Sequence, residues 1–523
     1  MQKPLLKYAE LLLFYGSLFL CLVFIAKGGY NPSIDGPAHM YNARIMQYLF
    51  TGNGFMHQFY SINRVPIPNL TDHFILAFFY LFFSPMISVK LLLIIYVAGL
   101  ALAFRAIVRL LNPGNIGFSV FAIVMAHSFL YYIGFYNFCL SLALMLWAMY
   151  YYLRYIKPCG YGVKRSAMLF ILIMLTYFTN GLAFAILGFI LGFMELQTAY
   201  TTFNSGVEGS KKAIIKRFLI SSSLWIPGAI CFLIFTSHVP IHGGNGEQMP
   251  FTEMLNWIVR VRPLIIYTGE EDYVTRKFFY LLIVLTVFSM GFRFIKKENG
   301  NRDNLVFLVT TILMGMCFFI VPDGASVGMM SVRFATYIFL FFMLWLSVQG
   351  NFQIVKWLGI AAGYILFWVL MLQNHLPATK GLNAVAFEIA DAGKLLKPNS
   401  VVHSLNCTDN WLMGHFTDYA LLNKPIINPE NYEAEVGWFP VVWNYEAKPE
   451  VYLNDKRRLG PAFIQKNNGR RGIDYIFVLG DMAKITKQNQ YPEIKKLLDS
   501  NAILLLKTND SLIHLYSINN TAQ

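Results

Sequence analysis

The sequence predicts a polytopic α-helical membrane protein that ends in a small α/β domain. Of its 523 residues, 56% are hydrophobic and only 13% are charged, whereas an average soluble domain has about 25% charged residues. Apolar runs of about 17 to 25 residues, long enough to cross a bilayer, recur between Leu11 and Leu372. After His375 these runs stop, and short alternating patterns typical of strands begin.

Lysines and arginines gather between the apolar runs, and this sets the expected orientation. The net charge is +14, and its basic clusters fall at 105–109, 154–165, 211–217 and 293–302. Because cytoplasmic loops carry such an excess, these clusters and the N-terminus are predicted to be cytoplasmic. The C-terminal domain is then extracytoplasmic, at the plasma (inner) membrane. The same distribution argues against a nucleic-acid partner. The first run has no small-residue cleavage site and is expected to be retained.

The predicted number of crossings follows from this orientation. Twelve apolar segments are present, but a chain that starts inside and ends outside crosses an odd number of times. The weakest segment is DHFILAFFYLFF (72–83), which is short and is flanked by Pro66, Pro68 and Pro85. We therefore predict about eleven transmembrane helices, with this segment lying along the surface or entering partway.

The domain prediction divides the chain near residue 375. Residues 1–375 form the transmembrane domain, with a large first outer loop (27–71) and a second outer loop (238–276), and residues 376–523 form the extracytoplasmic α/β domain. In this domain SVVHSL, KPIIN and DYIFVLG predict strands, and YPEIKKLLDS predicts a helix. AILLLKTNDSLIHLYS predicts two strands joined by a polar turn. Five of the six cysteines lie in or beside apolar runs, so no disulfide framework is expected.

The stretch YNPSIDGPAHMYNARIM (30–46) places Asp35, His39 and Arg44 together next to the membrane. On a helix that begins near Asp35, the carboxylate and the His39 imidazole project from about the same face. Asp before Gly-Pro also fits a helix N-cap, and this reading is equally open. An acid, an imidazole and a guanidinium in an outward loop suit base catalysis and the binding of a lipid-linked phosphate. Asp35 and His39 are predicted to be catalytic, and Arg44 to bind the donor phosphate.

Arg333, which opens an apolar run just after Asp323, is the second predicted phosphate-binding residue. A snorkelling arginine and a phosphate clamp explain it equally well. Further polar residues at predicted outer turns and loops are predicted to line a cavity or bind the acceptor: Asn137, Asn180, His73 and Arg262. Capping or a neutralised surface loop are the alternatives for these residues. No cofactor is predicted, and a divalent metal stays open without a supporting motif.

The chain resembles the GT-C superfamily of membrane glycosyltransferases, in its bacterial form. The resemblance rests on SIDGPAH in a long first outer loop, the Pro-marked PIPNLTDHFILAFFYLFF, GFYNF (134–138) and GASVGMMSVRF, followed by an extracytoplasmic α/β tail. Members often carry paired acids in the first loop, where this chain has Asp35 and His39. No WWDYG-like sequence is present. The identity of the base and any use of metal therefore stay open.

The resemblance implies an inverting glycosyltransferase that takes a sugar from a polyprenyl-phosphate carrier to an acceptor at the outer face of the membrane. Asp35 would then be the base, and Arg44 or Arg333 would neutralise the phosphate. The expected partners are the polyprenyl-phosphate-linked sugar, membrane lipids and a glycan, lipid or protein acceptor. Two alternatives stay open: a non-enzymatic lipid- or glycan-binding assembly protein, and a secondary transporter. The transporter is disfavoured because no internal repeat is evident and ionisable residues concentrate at span ends.

Overall fold

The structure is a computed structural model that describes residues 4–204, 210–239, 249–297, 304–325, 328–449, 472–487 and 492–518. Part of the second outer loop (240–248) and parts of the C-terminal domain (450–471, 488–491 and 519–523) lie outside the described residues. The chain forms two compact units. Unit 1 comprises Met1–Lys27 and Leu93–Thr379, and unit 2 comprises Gly28–Leu92 and Lys380–Gln523. The first outer loop thus folds with the C-terminal residues, whereas the sequence-based division assigned it to the transmembrane domain.

The α-helices up to the second outer loop are α1 (Pro4–Lys27), α2 (Gly36–Phe50), α3 (Gly54–Phe59), α4 (Thr71–Phe79), α5 (Pro85–Leu111), α6 (Val120–Ala126), α7 (Phe129–Tyr132), α8 (Tyr136–Tyr151), α9 (Lys157–Cys159), α10 (Val163–Thr179), α11 (Gly181–Asn204), α12 (Ser210–Ser223) and α13 (Ile226–His238). The later helices are α14 (Phe251–Val259), α15 (Glu271–Lys296), α16 (Leu305–Ile320), α17 (Met330–Ser347), α18 (Gln353–Leu370), α19 (Leu376–Ala392), α20 (Glu433–Val436), α21 (Ala483–Thr486) and α22 (Pro492–Asn501).

Nine helical stretches among the described residues are long and apolar enough to cross a membrane. The difference from the predicted eleven lies in two shorter helices. α10 has 17 residues and α16 has 16, just below the roughly 20 residues of a typical span. The exact number of crossings therefore stays a prediction. The segment at 72–83 is, as predicted, too short to span: α4 has nine residues and ends in a turn.

A buried ion pair joins two helices of unit 1. The Arg105 guanidinium on α5 donates to both carboxylate oxygens of Glu10 on α1, with an Nη2–Oε2 distance of 3.1 Å, and lies over the Phe14 ring. Both charged side chains are almost fully buried. Removing one partner of such a pair leaves an uncompensated charge, so the pair fixes how these two helices meet.

Unit 2 is built on a five-stranded sheet, and the structure confirms the predicted strands of the C-terminal tail. The strands are β1 (Tyr60–Ile62), β2 (Ser400–Cys407), β3 (Ile426–Ile427), β4 (Val441–Trp443), β5 (Tyr475–Gly480), β6 (Ala502–Lys507) and β7 (Ile513–Ile518). The sheet order is β3-β2-β5-β7-β6, with β2 parallel to β3 and β5, and β7 antiparallel to β5 and β6. Every residue of β5 is buried, as expected of a central strand covered on both faces. The helix predicted from YPEIKKLLDS is α22.

The first outer loop joins this unit through a second, two-stranded sheet. β1 pairs antiparallel with β4, with Ser61 opposite Val442, and the Tyr60 and Trp443 rings stack at 4.2 Å. The hydroxyl of Tyr41 on α2 donates to the Ile426 carbonyl at 2.8 Å and so ties the loop to β3. These contacts hold residues that are far apart in sequence together within unit 2.

Candidate functional site

Asp35 lies directly before α2, but its carboxylate does not cap the helix. The residue occupies the N-cap position with no side-chain capping hydrogen bond. Instead, the Gly36 amide donates to Ser33 Oγ at 3.2 Å. Pro37 in the first turn fits the start of a helix, where no backbone donor is needed. The alternative of Asp35 as a mere helix cap therefore fails, and its carboxylate faces other groups.

Four ionisable side chains of unit 2 meet in one buried cluster: His39 on α2, Asp72 and His73 on α4, and Glu433 on α20. We call these four residues the His–carboxylate cluster. The His73 ring donates from Nδ1 to Asp72 Oδ1 at 2.6 Å and lies 2.8 Å from Glu433 Oε2 through Nε2. His39 Nδ1 lies 3.1 Å from Asp72 Oδ2 and 3.5 Å from Glu433 Oε1. The cluster links three helices of unit 2.

The charges of the cluster balance only when positive charge sits between its two carboxylates. Burial lowers the pKa of His73, but Asp72 and Glu433 outweigh it and raise that pKa to about 10. Burial also opposes ionisation of Asp72, yet the His73 and His39 imidazoles hold its pKa below the usual value. Two protonated imidazoles would supply the required charge, and so would one divalent cation.

The same side chains fit a metal ion. One ligand atom each of His39, His73 and Glu433 lies within 4.8 Å of the others. Two imidazoles and a carboxylate are a known zinc ligand set. Metal-bound histidines usually donate their second ring nitrogen to a carboxylate, which fixes the tautomer. Asp72 Oδ1 stands in that position behind His73. All three residues are buried, which is typical of a closed structural site.

Asp35 has an imidazole neighbour that sequence reasoning did not single out. His415 Nε2 lies 3.7 Å from Asp35 Oδ1, and both side chains are part-exposed, at 31% and 19%. The His415 ring stacks on Tyr432 at 4.7 Å, and Tyr432 immediately precedes Glu433. Loss of water around the covered part of its ring lowers the pKa of His415 to about 4, so its imidazole is neutral at pH 7. Asp35 therefore has a neutral imidazole nearby and keeps access to solvent.

Arg44 is engaged by groups of its own unit. Its Nε donates to the Leu422 carbonyl at 3.0 Å, and its Nη1 donates to Gln47 Oε1 at 3.3 Å. The guanidinium also lies over the Tyr48 and Tyr80 rings, at 5.1 and 5.3 Å. These contacts give Arg44 a packing role beside the phosphate-binding role predicted for it.

The remaining predicted site residues lie in unit 1. Arg333 is buried at the start of α17, with its guanidinium 4.8 Å from the Phe135 ring centroid and 5.5 Å from that of Phe138. Asn137 is buried in the first turn of α8. These residues bring a guanidinium, an amide and two rings to the same end of α8.

Asn180 and Arg262 have clear local roles. Asn180 Oδ1 accepts from the Ala183 amide at 3.1 Å and so caps α11 in the turn after α10. The Arg262 guanidinium lies over the Phe129 and Trp257 rings, at 4.5 and 5.2 Å, and donates to the Ile265 carbonyl. Their predicted roles in a cavity or in acceptor binding stay predictions.

Three residues of the site were missed from sequence: Asp72, Glu433 and His415. The Asp72–His73 pair in NLTDHF is a local signal, since an acid next to an imidazole is unusual at the start of an apolar helix. Glu433 and His415 belong to the C-terminal tail, and Glu433 is 360 residues from His73. Nothing local in the sequence indicates such a contact.

The buried carboxyl group of Asp418, also in unit 2, should make the free energy of unfolding depend on pH. Burial raises its pKa to about 7, with Glu433 adding to this and the hydrogen bond from Asn428 Nδ2 (2.8 Å) opposing it. Between pH 4 and 7 the folded state keeps a proton that the unfolded chain has lost. The free energy of unfolding therefore falls as the pH rises through this range, by at most about 4 kcal/mol.

The Asp418→Asn variant should lack this part of the pH dependence, because an amide resembles the neutral carboxyl. Thermal unfolding in detergent at pH 5, 6, 7 and 8 measures it, with Asp391→Asn, whose side chain is 69% exposed, as the control. Parallel curves for wild type and Asp418→Asn would contradict the shifted pKa.

Comparison with known proteins finds similarity at the level of the fold. The sequence matches no protein-family model and no curated protein. The structure is similar to that of ArnT from Cupriavidus metallidurans bound to undecaprenyl phosphate, with a TM-score of 0.54 and 10% identity, covering 99% of this chain and 98% of that chain. It is also similar to the arabinofuranosyltransferase AftD from Mycobacteria, with a TM-score of 0.50 and 11% identity, covering 98% of this chain and 40% of that chain.

The chain therefore shares its fold with these two structures, and the GT-C fold that the sequence resemblance implied is confirmed. Together with its apolar helices, this fold makes the chain a multi-pass membrane protein.

Proposed function

We propose that this protein is an inverting glycosyltransferase that moves a sugar from a polyprenyl-phosphate carrier to an acceptor at the outer face of the plasma membrane. The observation that carries the proposal is the Asp35 carboxylate. It is part-exposed, takes no part in capping α2, and lies 3.7 Å from the neutral His415 imidazole. The likeness in fold to a protein bound to undecaprenyl phosphate supports the choice of carrier.

Asp35 acts in this proposal as the general base. The acceptor hydroxyl loses its proton to the carboxylate while its oxygen attacks the anomeric carbon, and the bond to the carrier phosphate breaks. The transition state resembles an oxocarbenium ion, as in glycoside hydrolysis, and a single displacement inverts the anomeric centre. The nearby His415 imidazole, whose pKa is only about 4, carries no positive charge at pH 7 and so does not lower the basicity of the carboxylate.

The departing phosphate requires positive charge, and arginine matches its oxygens in a fork. Arg333 and Arg44 stay the proposed phosphate-binding residues. Asn137, Asn180 and Arg262 remain proposed cavity or acceptor residues.

We also propose that the His–carboxylate cluster holds a divalent metal, with zinc as the best match to its ligands. His39, His73 and Glu433 would bind the ion, and Asp72 would orient the His73 ring. A closed metal site of this kind would cross-link α2, α4 and α20. Asp35 is one helical turn from His39, so fixing α2 also fixes the base. His39 and His73 thus act in this proposal by positioning Asp35.

The glycan profile of the source organism tests the proposed function. A deletion strain should lose one sugar from one envelope glycan and accumulate the sugar-loaded carrier, because the donor is made but not used. Mass spectrometry of envelope glycans and of extracted polyprenyl phosphates measures both, and a plasmid copy of the gene should restore them. An unchanged profile with an unchanged carrier pool would count against a transferase and favour an assembly protein.

A further inference from the structure

A pocket of unit 1 lies at the end of the helices that the sequence predicts to be cytoplasmic. It has a volume of about 540 Å³ and is formed by the C-terminal half of α11, by α12 and by the segment before α10. The lining residues used below are Tyr161, Glu195, Leu196, Lys216, Arg217 and Phe218. They include part of the basic cluster at 211–217 that the sequence predicts to be cytoplasmic.

The charge of Glu195, the one carboxylate among the lining residues, is already balanced. Arg217 donates to it from Nε at 2.6 Å and from Nη2 at 3.1 Å, and the Tyr161 hydroxyl donates to it at 2.7 Å. The Arg217 guanidinium also lies 5.4 Å from the Tyr161 ring centroid. The Glu195–Arg217 ion pair therefore adds no net negative charge to the pocket.

Lysines beside this ion pair leave the pocket with a net positive charge. Lys216 lines it, and Lys211 and Lys212 precede it on α12; all three are exposed. Within the part of the chain that the structure describes, no carboxylate forms an ion pair with any of them. An anion at the pocket would therefore meet positive charge that none of the described residues neutralises.

The rim of the pocket is apolar and exposed. Leu196 is 63% exposed, and Phe218 is 58% exposed. Both lie on helical stretches, Gly181–Asn204 and Lys211–His238, that are long and apolar enough to span a membrane. Such side chains face hydrocarbon in a bilayer, so the pocket offers apolar surface next to a positively charged end. This combination matches a lipid, with acyl chains on one side and a phosphate on the other.

We propose that this pocket binds one anionic phospholipid of the cytoplasmic leaflet. Its phosphodiester lies against the Lys216 ammonium, and its acyl chains pack on Leu196 and Phe218. A zwitterionic lipid brings its own cation and so gains less from the lysines. The site is independent of Asp35 and of the transfer reaction, and it anchors α12 against α11.

Thermal unfolding of the purified full-length protein in a neutral detergent tests the proposal. Phosphatidylglycerol should raise the melting temperature in a saturable way, whereas phosphatidylcholine and inorganic phosphate should not. In Lys216→Gln the concentration of phosphatidylglycerol for half the effect should rise about fivefold, which is the contribution of one lysine near an anionic surface. Lys164→Gln, an exposed lysine of α10 outside the pocket, is the matched control and should behave as wild type.

A second variant tests whether the pocket itself is needed, in case Lys216 attracts the lipid only through the general positive charge of the surface. Ala199→Phe fills the pocket from its α11 wall without changing charge, and it should abolish saturable binding in native mass spectrometry. Equal responses of wild type and both pocket variants would overturn the proposal. An equal effect of phosphatidylcholine, or a response to undecaprenyl phosphate alone, would overturn it as well.

Discussion

The Asp35→Asn protein should fold, insert into the membrane and lose sugar transfer by about 10²- to 10⁴-fold, the usual effect of removing a general base. Asparagine keeps the size and the hydrogen-bonding edge of the side chain but cannot accept the acceptor's proton. Because Asp35 makes no capping hydrogen bond with α2, the melting temperature should change little. Complementation of the deletion strain, followed by glycan mass spectrometry, measures the loss.

Two measurements make this result specific to the base. The Asp409→Asn variant removes a carboxylate of the same unit whose side chain is 94% exposed, and it should restore the glycan fully. The abundance and melting temperature of Asp35→Asn should equal those of wild type. Normal transfer by a well-folded Asp35→Asn protein would refute the base assignment and leave the non-enzymatic alternative.

The C-terminal domain could be predicted from sequence because its signals are local. Alternation and apolar runs gave β2, β5, β6 and β7, and the pattern of YPEIKKLLDS gave α22. β2, β5, β7 and α22 bury apolar side chains, and their patterns are visible in a short window. β6 is visible as an apolar run, although its Ile503, Leu504 and Leu505 are exposed. The first outer loop gave no such signal, because β1 has only three residues and pairs with β4, which lies about 380 residues further on.

The candidate site was predictable only in part, for the same physical reason. Asp35 and His39 could be singled out because they share one helical turn, and an acid next to apolar sequence needs an explanation. The partners that define their environment, Glu433 and His415, come from the tail of the chain. Burial and charge balance, which set the pKa of His73, exist only after these segments meet.

The number of crossings shows a limit of a different kind. The sequence predicted eleven, and nine helical stretches of the described residues have the required length. α10 and α16 are apolar but end early, at Thr179 and at Ile320, where the next residue is extended. Hydropathy recognises an apolar segment, but the point where a helix ends depends on local caps, such as the one Asn180 supplies to α11.

The Glu433→Gln variant should lose the metal proposed for the His–carboxylate cluster and a large part of the stability of unit 2. Its side chain is fully buried and faces both imidazoles of the cluster. Removing one partner of a buried charged group typically lowers the free energy of unfolding by about 3–5 kcal/mol. Elemental analysis of protein purified without chelators measures the metal, and thermal unfolding measures the stability.

The structure supplies a close control for this variant. Glu435 lies two residues further on in α20, is 47% exposed and pairs with Lys448. Glu435→Gln should therefore keep the metal and the melting temperature of wild type. Asp72→Asn should weaken metal binding about 10- to 100-fold, as is usual for a group that orients a ligand, while keeping all three ligand atoms.

Two hypotheses, a bound metal and buried ion pairs alone, lead to different experimental outcomes and can therefore be distinguished. If the cluster holds a metal, a chelator should lower the melting temperature of wild type, and added zinc should restore it, whereas Glu433→Gln should respond to neither. If protons alone balance the two carboxylates, Glu433→Gln should still be destabilised, but wild type should contain no metal and ignore the chelator. That second outcome would refute the metal site and leave the Asp35 proposal standing, since the cluster would still fix α2 through its ion pairs.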